Sequence, residues 1–522
     1  MFSSTVHRYI FLFGIMTVLV GLSLGAIFIS FGTIIVSANW FLEGNFLNKF
    51  NKLKSSGLLW IFLCFYLLHV LAMLWTEDKS YGGNDLKIKL PLLAFPIVFC
   101  TTEKLTVSEF RKTLVIYVSG ILLATLWSML FYLDLKKADL NDIRGISRFF
   151  SHIRFSMNVV FGIFISIWLF YTSSKQVEKI LFILLTLWLI IFLFILSSLT
   201  GIVLFIIISL ICSIYFSFRQ KNNLIKAACL ILITTTLAVP TIFLVKTYRY
   251  FFPVAENEKI KLETWTPAGD LYYHDKDMSR ENGYFVWKHI SYPELEKSWN
   301  RKSKFNFDGE DSKGNFLKFT LIRYMASKGL KKDSLGFTKL VPEDIRNIEQ
   351  GFPNYKLVKA SSLEKRMYEV MWELDDFYAN GHVKNHSIMV RALYWKTAWE
   401  IIKENPIFGV GTGDIQSAFE ARYQRGDILS KKEDMRRSHN QFLEIWAALG
   451  IIGILSLLLI CLYPFLNFTS LHPLSFLISL ILFLSMFTED TLETQAGVTL
   501  FAFFIPFFSF MVQSDSSAEI TS

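Results

Sequence analysis

The chain has 522 residues, 52% of them hydrophobic and 51 of them Phe, with a mean hydropathy of +0.40. A large soluble core is excluded, because apolar residues come in blocks long enough to cross a bilayer, which takes about 20 residues. The net charge of +9 is uneven: residues 246–438 hold 33 of the 53 Lys/Arg and 28 of the 44 Asp/Glu. Nucleic acid is therefore not an expected partner, and the remaining charge is a sparse basic set flanking the apolar runs.

In chain order, the run at 9–42 is too long for one span and fits two short ones joined near Gly21–Gly25. Runs follow at 58–75, 88–100, 114–133, 155–171, 180–196, 201–216 and 224–245. After the polar block come 442–465, 474–487 and 498–512. Backbone groups in lipid must be satisfied within the segment, so these runs predict an all-α polytopic membrane protein with about 12 transmembrane helices. The run at 88–100 is the weakest, being short and holding Pro91 and Pro96. No small-residue cleavage site follows the first run, so no cleaved signal peptide is expected.

Lys and Arg favour one alternating set of loops: Arg8; Lys49, Lys52 and Lys54; Lys104, Arg111 and Lys112; Lys175 and Lys179; Arg219, Lys221 and Lys226. The positive-inside rule then puts both termini in the cytoplasm and the large loop outside. The expected organisation is helices 1–9 in 1–245, a loop domain in 246–438, helices 10–12 in 439–512 and a cytoplasmic tail in 513–522. One outer loop breaks the charge rule, with Lys136, Lys137, Arg144 and Arg148, and Arg154 at the next helix entrance. Basic residues on the wrong side argue for an anionic ligand there; the plainer alternative is a hairpin that tolerates a few charges.

The large loop is rich in aromatics, among them Tyr272, Tyr273, Trp287, Trp299, Tyr324, Trp372, Trp395 and Trp399. Disordered segments lack such residues, so a small, mainly helical cap is expected. Leu393, Trp395, Ala398, Trp399 and Ile402 recur at helical spacing. Ser387 is a plausible N-cap of that helix, Asn405-Pro406 ends it, and Arg391 lies near its start. Gly409, Gly411 and Gly413 follow: either a backbone that offers N–H groups to phosphate, or a tight turn returning the chain to the membrane. All five cysteines (Cys64, Cys100, Cys212, Cys229, Cys461) fall in apolar runs, so no disulfide framework holds the loop. No His/Cys spacing suggests a metal site.

Arg437-Ser438-His439-Asn440 sits where the polar block meets the run at 442–465. Ionisable groups at such depth are costly and tend to be functional. A His takes a proton near neutral pH, and an Arg holds phosphate oxygens in bidentate fashion. Glu489, Asp490 and Glu493 lie in the last outer loop, as a solvated turn or as partners that position the basic residues.

Arg391-x3-Trp395, then Asn405-Pro406-x2-Gly409-x-Gly411-x-Gly413, then Ser438-His439-Asn440-Gln441-Phe442-Leu443 with Gly450 resembles the O-antigen ligase and polymerase superfamily. Ser151-His152-Ile153-Arg154-Phe155 is similar to its first functional arginine region, and residues 489–495 resemble a ligase-like, Bacteroidetes-type tail motif. The resemblance spans about residues 150–500. Ser198-Leu199-Thr200-Gly201 departs from it by lacking an arginine, a role Arg148 or Arg144 could take. The resemblance implies a GT-C-like, metal-independent, inverting glycosyltransferase, without cofactor, at the periplasmic face of the bacterial inner membrane. Its donor would be a glycan on undecaprenyl diphosphate, and its acceptor lipid A-core or another glycan. It implies His439 as general base, Arg391 and Arg154 on the diphosphate, and substrate contacts from Arg437, Asn440, Arg148, His152, Trp395, Gly411, Gly413, Glu489 and Asp490. Exposed loop aromatics would stack on sugars. Polymerisation of repeat units and transfer to protein hydroxyls use the same donor and base and stay open. A lipid-linked glycan transporter is the reading from another class; the few charges inside the runs and the lack of repeated halves count against it.

Overall fold

The structure is a computed structural model that describes residues 3–54, 56–137, 146–253, 262–381, 389–425, 434–468 and 470–512. The expected Arg144, Ser387 and cytoplasmic tail, and the side chains of Lys136 and Lys137, lie outside the described residues. The chain divides into two compact units, residues 1–220 with 391–522, and residues 221–390.

The first unit opens with α1 (Ser4–Leu24) and α2 (Ala26–Glu43). Gly25 separates them at φ 138, in the turn expected near Gly21–Gly25. Small residues let the two helices approach closely, as membrane helix pairs require: a Cβ on Gly14 would stand 2.6 Å from Val36 Cγ2, and one on Gly32 2.7 Å from Val18. The chain continues through α3 (Phe46–Lys54), α4 (Gly57–Ala72), α5 (Lys79–Lys89) and α6 (Pro91–Thr101). Then come α7 (Val107–Lys137), α8 (His152–Thr172), α9 (Gln176–Leu196) and α10 (Leu199–Arg219).

The second unit begins with α11 (Asn223–Phe251), apolar and long enough to span a membrane. It continues with a two-residue hairpin, β1 (Arg280–Glu281) and β2 (Tyr284–Phe285), and with α12 (Tyr292–Asn300), α13 (Leu317–Ser327), α14 (Ser334–Thr338), α15 (Pro342–Glu349) and α16 (Ser362–Asn380). Its core is built on Trp299, Leu321, Tyr324, Met325 and Ile348. This unit is mainly helical, and three of the loop aromatics named above, Tyr272, Trp299 and Tyr324, are buried. Trp299 and Tyr324 are core side chains, because a domain of this size must bury its largest apolar surfaces to fold.

The chain then completes the first unit with α17 (Met389–Glu404), α18 (Ile415–Arg425), α19 (Gln441–Leu466), α20 (Pro473–Ser485) and α21 (Gln495–Pro506). All twelve apolar runs are helical. Among the described residues eight helices are long and apolar enough to cross a membrane, or nine if α3 and α4 form one bent span. The protein is an all-α polytopic membrane protein. Of the remaining apolar helices, α6 and α20 have 11 and 13 residues, and α21 continues through a π-turn to Met511.

Candidate functional site

Asn440 is the N-cap of α19, its Oδ1 accepting from the N–H groups of Phe442 and Leu443. Its Nδ2 donates to the Phe487 carbonyl at 3.2 Å. These bonds tie the Asn440 side chain to the start of α19 and to Phe487. Just before the cap, His439 adopts a left-handed backbone at φ 48, uncommon for a residue with a Cβ and costing about 1–3 kcal/mol. Its Nδ1 lies 3.5 Å from Asp490 Oδ1, at the outer limit of a hydrogen bond. That nitrogen is buried and makes no hydrogen bond among the described residues. The Tyr394 ring of α17 packs 6.0 Å from the imidazole.

The acids come from the connection between α20 and α21. Glu489 Oε1 lies 3.6 Å from Arg391 Nη2, at the start of α17. The charges of Arg391, His439 and Arg154 all act on Glu489; burial and the neighbouring Asp490 nonetheless raise its pKa. Asp490 moves the other way. Burial would raise it, but His439 and Arg437 outweigh that and hold it below its ordinary value. Arg154 stands in the first turn of α8, which Ser151 caps; its Nε is buried and makes no hydrogen bond among the described residues. Thus His439, Arg391, Arg154, Glu489 and Asp490 share one electrostatic neighbourhood. His152 opens the same α8 turn.

Beside this cluster is an ion-pair network that the sequence reading missed. Arg437 Nη1 meets Glu444 Oε1 at 3.1 Å and Glu493 Oε2 at 3.0 Å. Glu493 also meets Lys89 at 3.2 Å, and Lys89 meets Asp85 at 2.6 Å. Gln441 donates to Glu493 at 3.3 Å and accepts from the Leu492 N–H at 2.6 Å. Ser438 Oγ donates to Glu444 at 3.0 Å. Burial would lower the pKa of Arg437, but the two carboxylates raise it; Lys89 and Arg437 likewise overcome burial to keep Glu493 low. Arg437 therefore already has two anionic partners, which weighs against a direct diphosphate contact. The missed signal was a carboxylate, Glu444, at the third position of the run at 442–465 and an Asp85–Lys89 pair at i,i+4 whose lysine lies within the run at 88–100, charges that need partners at that depth.

The glycine turn has a structural explanation. Val410 and Gly411 donate to the carbonyls of Ala447 and Ala448, and Gly413 donates to Thr76 Oγ1 at 3.3 Å. A Cβ on Gly413 would stand 2.2 Å from the Asp78 carbonyl and one on Gly411 2.6 Å from Thr76 Oγ1. These N–H groups are used up in packing against α19 and the segment after α4. The expected phosphate-facing role of Gly411 and Gly413 thus gives way to the tight turn. Trp395 is 39% exposed, as is its neighbour Trp399 at 43%; α17 buries Tyr394, Thr397, Ala398, Ile401 and Ile402 instead of the tryptophan stripe. Arg148 lies over the Phe131 ring at 4.9 Å.

Residues 352–458 match the O-antigen ligase family. The matched segment contains Arg391, Arg437, His439 and Asn440 and leaves out Arg154, Glu489 and Asp490. An uncharacterized protein of Haemophilus influenzae is 31% identical over 91 residues, which is 17% of this chain and 23% of that protein. The chain thus spans less than a quarter of that relative's length.

Proposed function

We propose, from a membrane protein that carries an O-antigen ligase family domain at residues 352–458, a glycosyltransferase of the ligase or polymerase type. In this reading it moves a glycan from undecaprenyl diphosphate to a sugar hydroxyl at the periplasmic face of the inner membrane. Lipid A-core is the proposed acceptor. The observation that carries the reading is the joint placement of His439, Arg391 and Arg154 around Glu489 and Asp490, with Arg154 Nε making no hydrogen bond among the described residues and Arg391 Nη2 3.6 Å from Glu489. Buried donors without firm partners suit an anion that arrives with the substrate.

The acceptor hydroxyl gives its proton to His439 as its oxygen attacks the anomeric carbon. The glycosidic C–O bond to the diphosphate breaks in the same displacement, with inversion. Arg154 and Arg391 take the charge that develops on the leaving diphosphate, where fixed cations stabilise the transition state most. Asp490 faces Nδ1 and favours the tautomer that leaves Nε2 free to accept the proton. The ion-pair network around Arg437 fixes the start of α19, and with it His439.

The test is the surface lipopolysaccharide profile of a deletion strain, complemented separately by wild type and His439→Ala. Wild type restores polymer bands on lipid A-core. His439→Ala loses about 10²–10⁴-fold in transfer rate, the usual contribution of a general base, and polymer stays on the lipid carrier. Restoration by His439→Ala removes the base assignment, and a core bearing a single repeat in the deletion strain replaces ligation with polymerisation. Arg391→Ala and Arg154→Ala weaken binding of the diphosphate-linked donor; unchanged donor affinity in both would remove the diphosphate assignment.

A further inference from the structure

We propose that α3, with the adjoining ends of α1 and α2, forms a binding site for an anionic phospholipid. This site lies at the opposite end of α4 from the glycine turn. Its sequence, Phe46-Leu-Asn-Lys-Phe-Asn-Lys-Leu-Lys54, carries three lysines and no acid. Phe46, Leu47 and Phe50 are exposed. The helix is entered through Gly44 and Asn45, both left-handed at φ 69 and 53, and it lies at 93° to α4. A short basic amphipathic helix set across a spanning helix lies along the headgroup level of a bilayer.

Two adjoining cavities make this more than general lipid contact. One, of about 150 Å³, is of mixed character: His7, Arg8, Asn39, Lys49 and Lys52 line it together with Phe11, Val36 and Val98, with Glu43 and Glu103 at its walls. The other, of about 300 Å³, is apolar but for one side chain and is lined by Trp40, Phe46, Leu47, Lys49, Phe50 and Leu53. They meet at Trp40 and Lys49, which line both. A cavity lined by charged groups beside an apolar one, with Trp40 and Lys49 in both linings, suits a headgroup joined to acyl chains. The junction is firmly built: Lys49 Nζ pairs with Glu43 at 2.8 Å, donates to the Trp40 carbonyl at 2.6 Å and lies 4.7 Å over the Trp40 ring. Lys52 Nζ donates to the Thr101 carbonyl at 3.1 Å. Arg8 is fixed by Glu109 at 2.6 Å.

Charge complementarity selects the occupant. Arg8, Lys49 and Lys52 face the first cavity, with Glu43 and Glu103 at its walls and Glu109 on Arg8, and α3 adds Lys54 at its end, which leaves a surplus of one positive charge. A net-negative phosphodiester headgroup is therefore favoured over a zwitterionic one. The site is also remote from the proposed chemistry, since the 16 residues of α4 separate it from the glycine turn by about 24 Å.

Native mass spectrometry and thermal unfolding of the full-length protein in detergent, with phosphatidylglycerol or phosphatidylcholine of the same chains added, test the proposal. Phosphatidylglycerol is retained through desolvation and raises the unfolding temperature; phosphatidylcholine does so much less. Lys52→Gln, at an exposed position, lowers affinity for phosphatidylglycerol about fivefold, the effect of one lysine at an anionic membrane surface. Lys112→Gln, an exposed control outside both cavities, leaves it unchanged. Lys49→Gln abolishes the preference, and should that variant not fold, Lys52→Gln decides alone. Equal retention of the two lipids overturns the proposal, as does a preference untouched by Lys52→Gln. A shift reproduced in full by inorganic phosphate would make the site an anion site without a lipid.

Discussion

Two neighbouring carboxylates in the connection between α20 and α21 answer to pH with opposite signs. The folded protein lowers the pKa of Asp490, so its ionised form is favoured by folding. That stabilisation is present above the ordinary carboxylate value of about 4 and is lost as pH falls through the folded value. Glu489 is raised, so the folded state favours its protonated form; its contribution is full below the ordinary value and is lost as pH rises through the folded one. Asp490→Asn therefore melts below wild type from pH 7 down to about pH 4, with the gap closing only at lower pH. Glu489→Gln melts at least as high as wild type at pH 8, with no advantage left near pH 4. Thermal melts from about pH 2 to 8 check both, and shifts of the same sign in the two variants at pH 8 would contradict the assignment. His439 and Arg437 stood out because an Arg and a His beside a membrane run are unusual by composition alone, whereas Arg391, inside the polar block, was marked only by the resemblance. The carboxylates were seen, but their separate partners were not, since sequence spacing does not say which acid reaches which base across 50 residues.

At the scale of elements, α19 is the decisive piece, and it is interrupted. Gly450 breaks it at φ 69 and ψ −164, and a Cβ there would stand 1.9 Å from the Ile407 carbonyl. The break lets the 406–411 segment pack against the helix: Ile451 donates to the Pro406 carbonyl at 3.0 Å, and Gly411 to Ala448 at 3.0 Å. The turn thereby links the end of α17, which carries Arg391, to the helix that His439 precedes. Gly450→Ala meets both a disfavoured backbone and a backbone clash, so it lowers stability by at least about 1–3 kcal/mol and reduces transfer with every group of the site intact. Gly83→Ala, in a helix with open space around it, is the control and leaves the melting temperature near that of wild type. Equal melting of the two variants would count against the break as a structural requirement. The sequence marked Gly450 as part of a pattern but could not show the break, because a glycine inside an apolar run reads as a continuous span. It also chose the wrong face for α17, since a helix apolar on several sides has no unique stripe to bury.

For the whole molecule, the change of composition at 246 and 438 does not coincide with the compact units, since α11 belongs to the 221–390 unit and residues 391–438 to the first unit, and the sequence is least informative about aromatic residues. A Trp in a polar block is equally compatible with stacking on a ligand and with filling a core; only the fold distinguishes them. Trp299 is fully buried, and its Nε1 donates to the Phe305 carbonyl at 2.9 Å. It sits in a core made wholly of residues from 286–348, whereas the helices of the first unit bury their own separate set. Replacing it by Ala removes both the transferred surface and the packing around it, at a cost of about 3–5 kcal/mol. Because that core is local, the loss falls on the 221–390 unit. Limited trypsin digestion of full-length Trp299→Ala opens cleavage sites within 262–381 at temperatures where wild type resists. Fragments containing α1–α10 and α19–α21 stay protected. Trp395→Ala, at an exposed position, leaves the digestion pattern unchanged. If Trp299→Ala instead opened both units at the same temperature, the two cores would be one cooperative body, and effects of loop substitutions on transfer could no longer be separated from loss of the His439 site.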